Sequence, residues 1–386
     1  MADYWQNAAD GISQKKRLED SILRLHEWRE RFNGEDIGYG HDEYVPQKTH
    51  HYAEAYGIFG HAYLNLYRVS GEEAYLGLAR RSAEWLTKNP SPRYENLSWG
   101  LPWKWEQWDA PADLSYLITT ALVGAFLIGL YETTGETVYL DQCLSVAKWI
   151  LEENGYVERE DGLLFFYANH PPLRIPVLNP SVVASYFLAK MGVLTGEKKV
   201  RDISERGFEY AVRNQNRDGS WHYSERKRYP DNFHTALVLE ALKEYLRLFP
   251  LNQRVQTCLE KGLRFYRRNL FTRKGIGMDL LPPVAKRLRP IHIYRKYVSG
   301  IPRLAPARLW SYGAAIRVFS KQDPGTGFPT FCSKVVEHVL EDLQLPSGAF
   351  RYRLEDERTF VRHEAHIFHG LATLLQEGQR QSRGLQ

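Results

Sequence analysis

Asp231 and His234 stand three residues apart in NQNRDGSWHYSERKRYPDNFHT, just ahead of an apolar run. If Asp231 opens a helix, both side chains lie on one face. Asp231 is then a candidate general acid or base with His234 as its partner. Asp is also a favoured helix N-cap, and the two roles are compatible. A second set lies in NLSWGLPWKWEQWDAPAD, which holds Trp99, Trp103, Trp105 and Trp108, then Asp109 and Asp113. Indole faces stack on the apolar faces of pyranose rings while carboxylates hold hydroxyls; the alternative is that these rings plug an opening in the fold. His50 and His51, Trp310 and Tyr312, and the run Arg362, His363, Glu364, His366 and His369 complete the residues able to do chemistry. His366 and His369 have helical spacing, but no HExxH or comparable signature accompanies them, so neither metal nor cofactor is expected.

The elements that must position these residues follow from a repeat. SGEEAYLGLARRSAEWL, TGETVYLDQCLSVAKWI and TGEKKVRDISERGFEYA align without gaps, from Ser70, Thr134 and Thr195. Glu72, Glu136 and Glu197 precede Trp85, Trp149 and Tyr210 at one constant offset. A degenerate copy runs from Asn252 to Phe265, and a fifth from Thr326 towards Val339. A repeat of this length is one supersecondary unit. Each copy follows an apolar helix and a short Gly turn, so the two helices are antiparallel neighbours. The helix before the turn is apolar nearly all round, as in 114–131; the one after it is amphipathic, as in 201–213. The first kind is buried and the second lies outside.

Outer helices are predicted at 11–32, 73–88, 137–153, 198–214, 252–269 and 328–343, and inner ones at 50–69, 113–132, 180–194, 232–249, 307–320 and 363–377. Six such hairpins close into an all-α (α/α)6 toroid, one domain over 1–386. The returns from outer to inner helix are long, and all lie at the N-terminal ends of the inner helices. That face is where a site is expected. Six helix N-termini converging there favour an anion, which an acidic sugar would satisfy.

The return at 271–306 is unusual. It carries five prolines and a basic run from Arg273 to Arg303 with Asp279 as its sole acid. It reads as a lid over an acidic glycan, a contact with anionic lipid, or a solvated loop. No nucleic-acid-binding motif accompanies the charge, so nucleic acid is not an expected partner. P-loop, GxGxxG and GxSxG signatures are absent, which argues against a nucleotide enzyme or serine hydrolase. Three cysteines without CxxC spacing and an N-terminus without an apolar core point to a cytoplasmic protein, with peripheral contact at the inner membrane face through the basic insert.

At WGLPWKW, VLNPSVVASYFLAKMGVLTGE, NQNRDGSWHY and DNFHTALVLEAL the chain resembles the VpsJ-like polysaccharide-biosynthesis proteins, from about Gly71 to Phe249. The resemblance implies a helical toroid associated with surface-glycan assembly. Trp99, Asn179, Asp231, Asn232 and His234 match its motifs; Trp103 to Trp108 and the basic insert depart from them. Gln215, Gly219 and Trp221, echoed by Gln344, Gly348 and Phe350, are similar to the QW repeat of squalene and terpene cyclases, although no DxDD or DDxxD cluster is present.

The reading is therefore a glycan-acting protein. Asp231 and His234 are placed at proton transfer, with Asp113, Asp109 or Glu364 as the second carboxylate. Trp99, Trp103, Trp105, Trp108, His51, Asn179, Asn232, Trp310, Tyr312, Arg362 and His363 are placed around substrate. Hydrolysis, β-elimination and epimerisation all remain open, as do a prenyl cyclase and a non-catalytic glycan-binding scaffold.

Overall fold

The computed structural model describes residues 8–224, 229–279, 305–323 and 325–384. Among them are twelve α-helices: α1 (Ala8–Asn33), α2 (Ala53–Ser70), α3 (Glu73–Lys88), α4 (Leu117–Thr134), α5 (Thr137–Lys148), α6 (Leu178–Thr195), α7 (Lys198–Arg213), α8 (Asn232–Leu248), α9 (Gln253–Asn269), α10 (Leu309–Ser320), α11 (Phe328–His338) and α12 (Val361–Gly384). The even-numbered helices form the inner ring. Each packs on the next, and α12 packs on both α10 and α2, so the ring closes. Each inner helix also carries an outer partner, and α1 partners α12 across the ends of the chain. This is the (α/α)6 toroid expected from the repeat.

The short turns share one device. Ser70, Thr134 and Thr195 each accept the backbone N–H of the Glu two residues on and donate to the carbonyl four back. The intervening Gly71, Gly135 and Gly196 are left-handed C-caps, at φ 75°, 72° and 75°. The QW-like elements are also structural ties. The Gln215 amide donates to the Gly219 carbonyl and to Cys258 of α9; Gln344 donates to Gly348 and to Ser21 of α1. The second tie links the last return to the first helix. Gly348 sits at φ +101° on the α1 backbone, where a Cβ would fall 2.3 Å from the Arg24 carbonyl oxygen.

Several boundaries differ from expectation for local reasons. The first inner helix begins at Ala53, because Thr49–His51 (β2) pairs antiparallel with Tyr39–His41 (β1). The second begins at Leu117, because Asp113 is left-handed at φ +61° and Ser115 bridges Gly100 in extended conformation. Two outer helices end in wider π turns, Trp149–Asn154 and Val339–Leu343. The returns also hold the hairpin of β3 (Tyr156–Arg159) with β4 (Gly162–Phe165) and the pair β5 (Met278–Asp279) with β6 (Ala305–Pro306). Residues 280–304, the greater part of the basic insert, lie outside the described residues, and with them the lid and lipid-contact readings. α4 is apolar and long enough to cross a bilayer by composition; here it packs between α2 and α6.

Candidate active site

A cavity of about 440 Å³ opens at the N-terminal ends of the inner helices. Its walls are aromatic: Trp103, Trp105, Tyr116 and Tyr167 on one side, and Tyr223, Tyr229 and Trp310 on the other. Its charged groups are Glu54, Asp231, Asp279, Arg308, Arg353 and Arg362. Such a lining is neither apolar nor furnished with a single acid, as prenyl cyclisation would require.

Asp231 is the N-cap of α8. Its Oδ1 accepts the His234 backbone N–H at 3.0 Å and meets His234 Nδ1 at 2.5 Å. Capping and pairing with His234 are therefore the work of one oxygen. Burial pushes the Asp231 carboxyl up, but the charge and hydrogen bonds of His234, with the Arg308 guanidinium, hold it well below the usual carboxylate range. A carboxylate on Nδ1 fixes the imidazole and leaves Nε2 to act on a substrate. His234 lines the cavity, with its ring edge-on to Tyr223.

Beside Asp231 the cavity wall holds two further carboxyl groups, Glu54 and Asp279, and not Asp109, Asp113 or Glu364. Burial and the Asp231 charge push Asp279 up to about 6, against the opposing pull of Arg308. Its Oδ1 is buried and has no hydrogen-bond partner among the described residues. Asp279 is placed by a chain of core contacts. Asn232 donates to the carbonyls of Leu270 and Met278 and accepts the Tyr266 hydroxyl; the Tyr312 hydroxyl accepts the Gly277 N–H. Asn232 and Tyr312 are thus buried supports behind the site and do not line the cavity.

Arg308 ties the acids together. It lies 3.3 Å from Glu43, 3.6 Å from Asp279 and 3.9 Å from Asp231, and stacks 4.5 Å over Trp310. One guanidinium facing three largely buried carboxylates favours protonation of the least supported one. Glu43 is better supported: burial raises it, but His363, Arg308 and the Tyr352 hydroxyl overrule that and hold it well below its ordinary value. The Trp310 backbone N–H donates to His363 Nδ1, so His363 Nε2 donates to Glu43. Beneath them Arg362 pairs with Asp42 at 2.6 Å and Glu54 at 3.3 Å, and His366 bonds Glu54 at 3.2 Å. Burial depresses His366 to about 4, leaving it neutral.

The remaining predicted residues divide by position. Trp103, Trp105, Asn179, Trp310 and Arg362 line the cavity, and the buried Asn179 Oδ1 and Trp310 Nε1 have no partner among the described residues. Trp99 does not line it: the ring is buried in the core and its Nε1–H donates to the Leu86 carbonyl. Trp108 packs in a small satellite cluster around Ala110. Asp109 is 83% exposed and pairs with Lys104, because its left-handed turn aims it at solvent. Asp113 offers its carbonyl to Ser91 and is absent from the cavity wall. Glu364 is buried elsewhere, accepting the Phe350 N–H, and burial raises its carboxyl well above the usual range. His51 stacks on Trp85 and meets the Tyr56 hydroxyl. His363 lies behind Trp310, stacked on its ring, and bonds Glu43.

Sequence reasoning missed Asp279, Arg308, Glu43 and Arg353 as site residues. The available signal for Asp279 was its place as the lone acid in a basic segment; Arg308 stands two residues before Trp310 at the mouth of an inner helix.

No family model matches the chain, and no curated protein matches it. Solved structures do match. A family 76 glycoside hydrolase from a bovine Bacteroides thetaiotaomicron strain is 12% identical, with 93% of this chain and 77% of that one covered, at a TM-score of 0.67. Cellobiose 2-epimerase from Bacillus thermoamylovorans is 11% identical, with 92% and 98% covered, at 0.66. An unsaturated glucuronyl hydrolase from Streptococcus agalactiae is 10% identical, with 93% and 91% covered, at 0.64. At these identities the likeness establishes the fold alone, an (α/α)6 helical toroid.

Proposed function

We propose that the protein is a carbohydrate-active enzyme of surface-polysaccharide or glycoconjugate biosynthesis, working by acid/base chemistry on a glycan in the aromatic cavity. One observation carries this reading: an ionised Asp231 paired with His234 shares a cavity with Asp279, whose carboxyl keeps its proton to about pH 6. Groups with separated proton affinities supply an acid and a base at one pH. In this reading Asp279 protonates the departing glycosidic oxygen, and His234, oriented by Asp231, takes a proton from the attacking water. Trp103, Trp105 and Trp310 stack on sugar faces, and Asn179 binds a hydroxyl through its free Oδ1.

Epimerisation is the second reading. It is favoured by the imidazole of His234 standing where a hydrolase more often places a carboxylate base. The toroid neighbours include proteins named for each chemistry. The VpsJ-like resemblance supports the biosynthetic setting, and three buried, unpaired cysteines fit a cytoplasmic one.

The test is incubation of wild type and Asp231→Asn with acidic and neutral oligosaccharides, followed by mass spectrometry and NMR. Cleavage that vanishes in the variant supports hydrolysis, and a mass-neutral change at one carbon supports epimerisation. Binding without turnover in either protein would leave a glycan-binding scaffold, and the enzymatic reading would fall.

A further inference from the structure

The ring has a second opening. At the C-terminal ends of the inner helices a separate cavity of about 180 Å³, room for about six waters at roughly 30 Å³ each, is lined by side chains from all six inner helices. One helical turn separates it from the active-site cavity: Glu54, Ile118, Asn179 and Phe233 line the upper space, and Ile58, Leu122, Val183 and Leu237, each four residues on, line the lower.

Its wall carries six cations, Arg68, Lys190, Arg247, Arg317, Lys321 and Arg380, and four carboxylates. Lys190 pairs with Glu132; Lys321 and Arg247 pair with Glu244; Arg380 pairs with Glu377. Helix C-termini attract cations, and this accounts for basic residues here. It does not account for two directional features. Arg317 is 1% exposed and reaches Glu240 through Nε, at 2.9 and 3.0 Å, while its buried Nη1 has no partner among the described residues. Arg68 bonds only a hydroxyl, Thr133, and a carbonyl, Gly129; its proton affinity is lowered by burial and by the charge of Arg380. A buried N–H left without an acceptor is destabilising, and a guanidinium offers donors alone. The missing partner is therefore an acceptor. His61 and His369 stack at 4.5 Å on the same wall; burial and the surrounding cations depress both, so they stand as neutral polar groups.

We propose that this second mouth is a binding site for a small oxyanion, a phosphate or carboxylate group, held by Arg317 and Arg68. The oxygens accept from Arg317 Nη1 and from Arg68, and their charge offsets the excess of cations over carboxylates. The site is independent of the glycan chemistry proposed above.

The test is calorimetric titration of the full-length protein, dialysed free of oxyanions, with inorganic phosphate and separately with acetate, against sodium chloride at matched ionic strength. Saturable one-to-one binding of phosphate or acetate is expected, and the tighter of the two assigns the group. Arg317→Lys keeps the cation at the helix end and its charge beside Glu240 but removes the fork, and is expected to weaken binding at least tenfold. Arg68→Gln, at a less buried position, is expected to do the same with the fold intact by circular dichroism. Trp103→Ala, in the other cavity, is expected to bind as wild type. The proposal is overturned if no saturable binding is found, if Arg317→Lys and Arg68→Gln bind as wild type, or if Trp103→Ala abolishes binding.

Discussion

Asp231 and Asp279 reach the same guanidinium: their Oδ2 atoms lie 3.9 and 3.6 Å from nitrogens of Arg308. Asp231 is further stabilised by His234, which holds its carboxyl low, whereas burial and the Asp231 charge push Asp279 up to about 6. In the proposed mechanism this asymmetry lets Asp279 serve as the acid while Asp231 orients the base.

From this follows a pH dependence. Asp279 is raised by burial and by Asp231 to about 6, so its acid form is present below that pH and is lost above it. Turnover should fall as pH rises through about 6. Asp279→Asn should lower kcat on the order of 10²–10⁴-fold and remove that limb from the profile. A limb near pH 6 that survives in the variant would assign it to another group.

Asp231→Asn and Asp231→Ala separate capping from catalysis. Asn caps helices about as well as Asp, whereas Ala costs about 0.5–2 kcal/mol. Asp231→Asn should unfold in urea close to wild type yet lose turnover, and Asp231→Ala should lose both. Full activity in Asp231→Asn would reduce the residue to a cap.

The tryptophans should respond in opposite ways. Trp99 is buried and bonded to Leu86, so Trp99→Ala should destabilise the fold by about 3–5 kcal/mol. Trp103→Ala opens a cavity wall and should raise KM about tenfold, about 1.4 kcal/mol of binding, with a modest change in melting temperature. Thermal unfolding and steady-state kinetics on the pair check both.

Asn232 is a positioning residue for Asp279. Asn232→Ala strands the Leu270 and Met278 carbonyls and the Tyr266 hydroxyl, at about 1–3 kcal/mol for each buried group left unpaired. Beyond lost stability, the pH limb near 6 should move, because the segment carrying Asp279 is no longer held. An unmoved limb would make Asn232 structural only.

Gly348 tests the closure of the ring. At φ +101° and with the Arg24 carbonyl 2.3 Å from any added Cβ, Gly348→Ala should cost at least ~1–3 kcal/mol by urea unfolding. Gln344→Ala, which removes only hydrogen bonds to Ser21 and Gly348, should cost about 0.5–1.5 kcal/mol.

Much of this protein was legible in the chain, and the reason is periodicity. The constant offset from Glu72 to Trp85, repeated at Glu136 and Glu197, encodes a hairpin whose inner helix must be buried, and six such hairpins can bury their inner faces only by closing. The Asp231–His234 pair was legible for the same local reason: two residues three apart on one helix face meet whatever the rest of the fold does. Contacts between distant segments were not legible. Nothing near Asp279 in sequence says that Asn232 and Tyr312 draw its strand to the mouth of the ring, or that Arg308 joins it to Asp231 and Glu43. The Trp cluster shows the same limit. Trp99 and Trp103 look alike in the chain, but the Gly100–Ser115 bridge turns one into the core and leaves the other on the cavity wall. Burial and proton affinity depend on what surrounds a side chain in three dimensions, so which acid keeps its proton was decided only when the ring closed.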